Sequence, residues 1–177
     1  MPLITIDGVA PTVGPDCFIA AGAMVSGRVT LGARTSVWYN CVLRGDVEPL
    51  VFGEDCNLQD GAIFHGTSGL AGVTMGDRVS VGHNAVVHGA RIGNDVLVGM
   101  SATVLDGSVV EDHVFIAAGS LVVPRSHLVS GFLYAGSPAV QKRPLSDRER
   151  LIIEGTWRTY GESAKQHRAA LIAGGLI

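Results

Sequence analysis

Three regularities predict an all-β solenoid of triangular coils, closed by a C-terminal α-helix. Aliphatic residues recur every six positions over most of the chain. The residue after each is often glycine, and the residue four after it is small or branched. A period of six fits neither an α-helix at about 3.6 residues per turn nor an ordinary strand that alternates every second residue. It fits a stack in which each hexad is one short strand and one turn. Aliphatic side chains then point inward and glycines permit the corners. This divides the chain into a solenoid over residues 1–143 and a helical tail over residues 144–177.

The elements follow in order. Val13, Ile19, Val25, Leu31, Val37 and Leu43 form the first run, then Phe52, Leu58 and Phe64 after a three-residue slip. Met75, Val81 and Val87 follow a longer interruption, Ser68 to Val73. One residue is then dropped, and Ile92, Val98, Val104, Val110, Ile116 and Val122 complete eighteen hexads, or six coils of three. Glycine follows the aliphatic residue at Gly14, Gly32, Gly53, Gly76, Gly82, Gly93 and Gly99. Cys17, Cys41 and Cys56 all fall in the small inward slot, where a free thiol packs as a small hydrophobe. The stretch Gly131–Ala139 reads as a link between solenoid and tail. Ser146 and Glu149 then form a capping-box pattern, opening an amphipathic helix from about Ser146 to Ala170 with Leu151, Ile152, Gly155, Tyr160 and Ala164 on its apolar side. Gly155 and Gly161 are weak helix formers and allow a break there.

Composition excludes several classes. The 177 residues carry 13 basic and 16 acidic side chains, a net charge of −3, against a nucleic-acid partner. With 47% apolar and 16% charged residues the chain is not disordered. Every apolar run breaks well short of the roughly 18 residues a membrane helix needs. Met1–Gly14 shows no basic start followed by an apolar run, so no signal peptide is expected. An odd number of cysteines without a CxxC pair fits a reduced, cytoplasmic setting.

The period also sorts the polar residues. With the three prism faces labelled A, B and C from Val13, Ile19 and Val25, loops counted as insertions, Leu43, Phe64 and Val87 begin face C on successive coils. Arg44, His65 and His88 follow them and form one column, about 4.8 Å from coil to coil. Asp60, with Gln59 beside it, and His83 form a second column on face B. Imidazoles stacked one coil apart suit a shared metal ion, each nitrogen about 2.0–2.1 Å from a zinc. His83, on another face, reaches the same ion only if the C column of one prism meets the B column of a neighbour, as in a threefold homotrimer. The competing reading of the same columns is a wet polar interface without metal. His113 and His127 read as surface residues and His167 as a solvated position on the tail.

These residues resemble the gamma-class carbonic anhydrase family, a group of hexapeptide-repeat proteins. The matching stretches are Leu43-Arg44-Gly45-Asp46, Asn57-Leu58-Gln59-Asp60-Gly61, His65, Gly82-His83 and Val87-His88-Gly89. The resemblance implies a left-handed parallel β-helix, opposite to the usual crossover hand. It also implies zinc, with iron or cobalt as alternatives, held by His65 and His88 of one subunit and His83 of the next. Arg44, Asp46 and Asp60 would form ion pairs across the subunit interface. Gln59 would hold the hydroxide that attacks CO2 to give bicarbonate. Tyr160 would approach the metal from the tail, with Tyr134 as its competitor.

One part of the family pattern is missing. A glutamate directly after Arg-Gly-Asp and an acidic loop serve proton export; here Val47 takes that position, Glu48 comes one residue late, and Gly66–Val73 contains no acid. Weak hydration is the expected consequence, since proton transfer needs a placed group. Three other functions fit parts of the pattern. They are a metal-hydroxide hydrolase such as a thioesterase, a metal-free hexapeptide acyltransferase, and a non-catalytic metal-binding trimer.

Overall fold

The structure is a computed structural model and describes residues 3–175. The chain winds as a left-handed parallel β-helix of about seven turns and ends in one α-helix. On face C, Val25 lies beside Leu43, Leu43 beside Phe64, Phe64 beside Val87, and the ladder continues through Val104 to Val122. Face A runs from Val13 to Leu128 and face B from Ile19 to Tyr134 in the same parallel register. Each inward residue stacks on the equivalent residue one coil away, and their side chains form one continuous core. Burial of this column of branched side chains is the main source of stability, at roughly 25 cal/mol per Å² of apolar surface removed from water.

The glycine after the aliphatic residue has a steric cause. A Cβ on Gly53 would stand 2.5 Å from the carbonyl carbon and oxygen of Gly76 in the next coil, and one on Gly32 would stand 2.4 Å from those of Gly53. The corners are too close for any side chain there. One corner column carries alternating charge: Arg34 binds Asp55 through two hydrogen bonds of 2.7 and 2.8 Å, and Arg78 binds Asp95 through two of 2.8 and 2.9 Å.

The solenoid is longer than the hexad count. Leu3–Ile4 pairs with Val25–Ser26 at its start. At the other end, Phe132–Ala135 is not a linker but a strand of face B, folded back in an antiparallel hairpin onto Val140–Pro144. The three-residue slip after Leu43 is absorbed within one strand, Val42–Phe52, which runs round the corner from face C to face A. The longer insertion forms the loop at 66–72.

The tail helix spans Asp147–Ala173 without a break at Gly155 or Gly161, and Ser146 caps it in a complete capping box with Glu149. It lies on face B. Ala164 and Leu171 pack with Phe18, Ala20 and Trp38. Its buried side differs from the sequence reading: Ile153 is buried, while Leu151 and Ile152 face outward. No helix among the described residues is long and apolar enough to cross a membrane. All three cysteines are unpaired; Cys41 and Cys56 are buried and Cys17 is half-buried. Desolvation pushes the Cys56 thiol up to about 12, consistent with packing rather than reactivity.

Candidate functional site

The C-face column exists as the period requires. The backbone register sets His88 directly beside His65 and Arg44 beside Ser26. Because each side chain follows an inward aliphatic residue, it points outward. The column is wired from end to end. Arg44 Nη1 donates to Asp46 Oδ2 at 2.5 Å, and Asp46 Oδ1 lies 3.0 Å from His65 Nε2. His65 Nδ1 lies 3.2 Å from His88 Nε2, and His88 Nδ1 lies 3.1 Å from Asp106 Oδ1. Burial opposes ionisation of Asp46, but the hydrogen bonds from Arg44 and His65 outweigh it and hold the carboxyl below its ordinary value.

The two imidazoles face each other in a way that suits a cation. A neutral imidazole that donates from one nitrogen accepts at the other. Asp46 and Asp106 engage the outer nitrogens, so two lone pairs meet across the gap. Two nitrogens bound at about 2.0–2.1 Å to a tetrahedral ion stand about 3.3–3.4 Å apart; the gap between His65 Nδ1 and His88 Nε2 is 3.2 Å. The residues present therefore fit a shared divalent metal.

The third histidine stands apart, as the faces demand. His83 is on face B, its Nδ1 2.9 Å from Asp60 Oδ2 and its Nε2 3.2 Å from the Tyr160 hydroxyl. Among the described residues no three metal-ligating side chains converge within this single chain. Tyr160 reaches His83 from the tail helix and packs edge-on against Trp38, ring centroids 5.2 Å apart. Burial, and then the charge of Asp60, raises the Tyr160 phenol, which keeps it protonated and a donor. Tyr134 is elsewhere: it is buried in the last coil, where its hydroxyl accepts from Val129 N at 2.8 Å and donates to Gln141 at 3.3 Å. Gln59 is buried too, and its Nε2 donates to Asn57 Oδ1 at 3.0 Å, with Asn57 Nδ2 in turn donating to Ser80 Oγ at 2.7 Å.

Several positions differ from, or add to, the sequence reading. His167 is not solvated: its Nδ1 is 2.8 Å from the Tyr39 hydroxyl and its ring packs edge-on against Trp38. Within the single chain Arg44 and Asp46 pair with each other. Glu48 accepts a 2.7 Å hydrogen bond from Gly69 N and so pins the 66–72 loop. His113 and His127 are exposed, the latter paired with Glu111 at 2.7 Å. Asp106 and Ser80 escaped the sequence reading, and Asn57 entered it only as part of a matching stretch, without a role. The available signal was positional: Asp106 falls two residues after inward Val104, at the corner next to the histidine column.

The comparisons with known proteins agree with this architecture. Residues 89–124 match the family described as bacterial transferase hexapeptide (six repeats). Protein YrdA of Escherichia coli is 44% identical over 146 residues, covering 79% of each chain. Gamma carbonic anhydrase 2, mitochondrial, of Arabidopsis thaliana is 41% identical over 170 residues. The chain belongs to the gamma-class carbonic anhydrase-like family of hexapeptide-repeat proteins. The match to the Arabidopsis protein covers 93% of this chain but only 61% of that longer relative. A solved hexapeptide transferase family protein from Anaplasma phagocytophilum superposes with a TM-score of 0.88 at 35% identity, over 93% of this chain and 96% of that one.

Proposed function

We propose that this gamma-class family member is a metal-dependent carbonic anhydrase that interconverts CO2 and bicarbonate as a homotrimer in the cytoplasm. The observation that carries the reading is the facing pair His65–His88, with its outer nitrogens taken by Asp46 and Asp106. His65 and His88 of one subunit and His83 of the next would hold the ion, zinc in the first instance and iron or cobalt by the same donor set. Such an ion acidifies water to a pKa of about 7 and so supplies the nucleophile for CO2.

The chain's own groups do the rest. Arg44 and Asp46 form a braced pair that holds the His65 ring, and Asp60 does the same for His83. Gln59 has its amide nitrogen committed to Asn57, which leaves its carbonyl oxygen to accept a hydrogen bond from water and orient it. Tyr160, kept protonated, donates to an oxygen of substrate. Glu48 is occupied in the loop, so the proton leaves without a dedicated carboxylate and turnover is slow.

A specific observation also supports a second reading. The Anaplasma relative is described as a hexapeptide transferase and shares the whole fold. Need for metal separates the two. Metal content per chain and stopped-flow CO2 hydration should be measured on one sample purified without chelator. One metal per subunit with hydration abolished by chelator is expected. A metal-free trimer that cannot be reconstituted would overturn the proposal in favour of acyl transfer.

A further inference from the structure

We infer that Asp106 is a positioning residue for His88, and that residue 89 is glycine in order to admit it. The inference rests on the metal-site reading above. Both carboxylate oxygens approach the same ring nitrogen: His88 Nδ1 lies 3.1 Å from Oδ1 and 3.2 Å from Oδ2 of Asp106. An ionised carboxylate only accepts, so it keeps the proton on Nδ1 and the lone pair on Nε2. Nε2 is the nitrogen that faces His65. The other tautomer would set a lone pair against the carboxylate and place an N–H in the gap where a cation must sit.

The backbone explains how a residue in the next coil reaches this ring. Gly107 N donates to Gly89 O at 2.7 Å, joining the two corners. Gly89 has a positive φ of 56°, and a Cβ there would stand 2.1 Å from Asp106 Oδ1 and 3.0 Å from its Cγ. The carboxylate thus fills the volume that any side chain at position 89 would take. His88-Gly89 in one coil and Asp106-Gly107 in the next make a single unit across the corner. Asp46, by contrast, divides its carboxylate between Arg44 and His65. Asp106 pairs with His88 alone among the described residues. A carboxylate behind a metal-bound imidazole fixes ring orientation and raises ligand basicity, and its loss typically lowers metal affinity about 10- to 100-fold.

The test compares Asp106→Ala and Gly89→Ala with Asp112→Ala, which removes a comparable corner carboxylate that accepts from Asn94 N at 2.7 Å. Zinc affinity is read by chelator competition on full-length protein whose circular dichroism and assembly mass match wild type. The histidine tautomers are read by 15N NMR on metal-free protein. Asp106→Ala should weaken zinc about 10- to 100-fold and lose the Nδ1–H form of His88. Gly89→Ala should do the same by displacing the carboxylate, while Asp112→Ala keeps wild-type affinity. Wild-type affinity together with an unchanged His88 tautomer in Asp106→Ala would overturn the assignment. If wild type takes up no zinc, the metal reading fails, and the tautomer comparison still decides the role of Asp106.

Discussion

Replacing Phe64 by leucine tests how the inside of the prism supports the strand that carries His65. Phe64 is fully buried, and its ring meets Phe52 edge-on, centroids 5.2 Å apart at 84°. Both rings lie in the coil where the chain absorbs its three extra residues, so they fill the space that a regular hexad would fill with an aliphatic side chain. An edge-to-face pair adds about 0.5–1.5 kcal/mol beyond its buried area. Refilling the site with a differently shaped apolar side chain costs up to about 1.5 kcal/mol more. Phe64→Leu should therefore destabilise by about 0.5–3 kcal/mol, and Phe64→Ala by about 3–5 kcal/mol because a cavity remains. The assay is denaturant unfolding of metal-free protein at one fixed concentration, since assembly shifts apparent stability. A double-mutant cycle with Phe52→Leu should give a coupling of about 0.5–1.5 kcal/mol. Additivity to within about 0.3 kcal/mol would refute the ring-pair argument.

Two further outcomes follow from the helix and its cap. Glu149 is lowered to about 2, first by the hydrogen bond from Arg143 and then by Ser146 N. A depressed carboxylate stabilises above its ordinary value of 4.5 and loses that stabilisation as pH falls toward 2. After discounting for solvent screening at this surface site the effect is about 1 kcal/mol. Glu149→Gln should flatten the stability profile across that acid window, and an unchanged profile would show that the cap contributes nothing. Tyr39→Phe removes the hydroxyl that meets His167 Nδ1 at 2.8 Å, worth about 0.5–1.5 kcal/mol. Hydrogen exchange should then rise in the helix while the solenoid stays protected. Equal exchange in both proteins would show that the contact does not dock the helix.

Most of the coil path was legible because the six-residue period leaves few choices. Once Val13 is assigned to face A, stacking fixes every later face, and the observed register follows it through both insertions. The ends were harder. Tyr134 occupies an inward slot that purely apolar residues fill elsewhere, which is possible because Val129 N and Gln141 satisfy its hydroxyl. Leu3–Ile4 is separated from the first hexad by a turn that the antiparallel bridge Ile6–Val9 closes. On the helix, the periodic pattern located the element but not its inward side, since two glycines and few large apolar residues blur the stripe. His167 shows the consequence, being a polar ring held by the aromatic cluster of Phe18, Trp38 and Tyr39. The columns Arg44–His65–His88 and Asp60–His83 could be read from spacing. Asp106 was marked only by its position two residues after inward Val104, because a carboxylate that serves a ring one coil away belongs to no motif that names its partner.

In the proposed trimer one metal site is built from two faces of two different subunits. Co-expression of His83→Ala with His65→Ala separates the contributions of the two faces. Each variant alone should bind no metal, because every interface then lacks a ligand. In random mixed trimers, an interface that joins an intact C column to an intact B column forms about one time in four. The mixed trimers should hold about a quarter of wild-type zinc per chain, together with a matching recovery of CO2 hydration. Mixed trimers that hold no more zinc than the separate variants would contradict it.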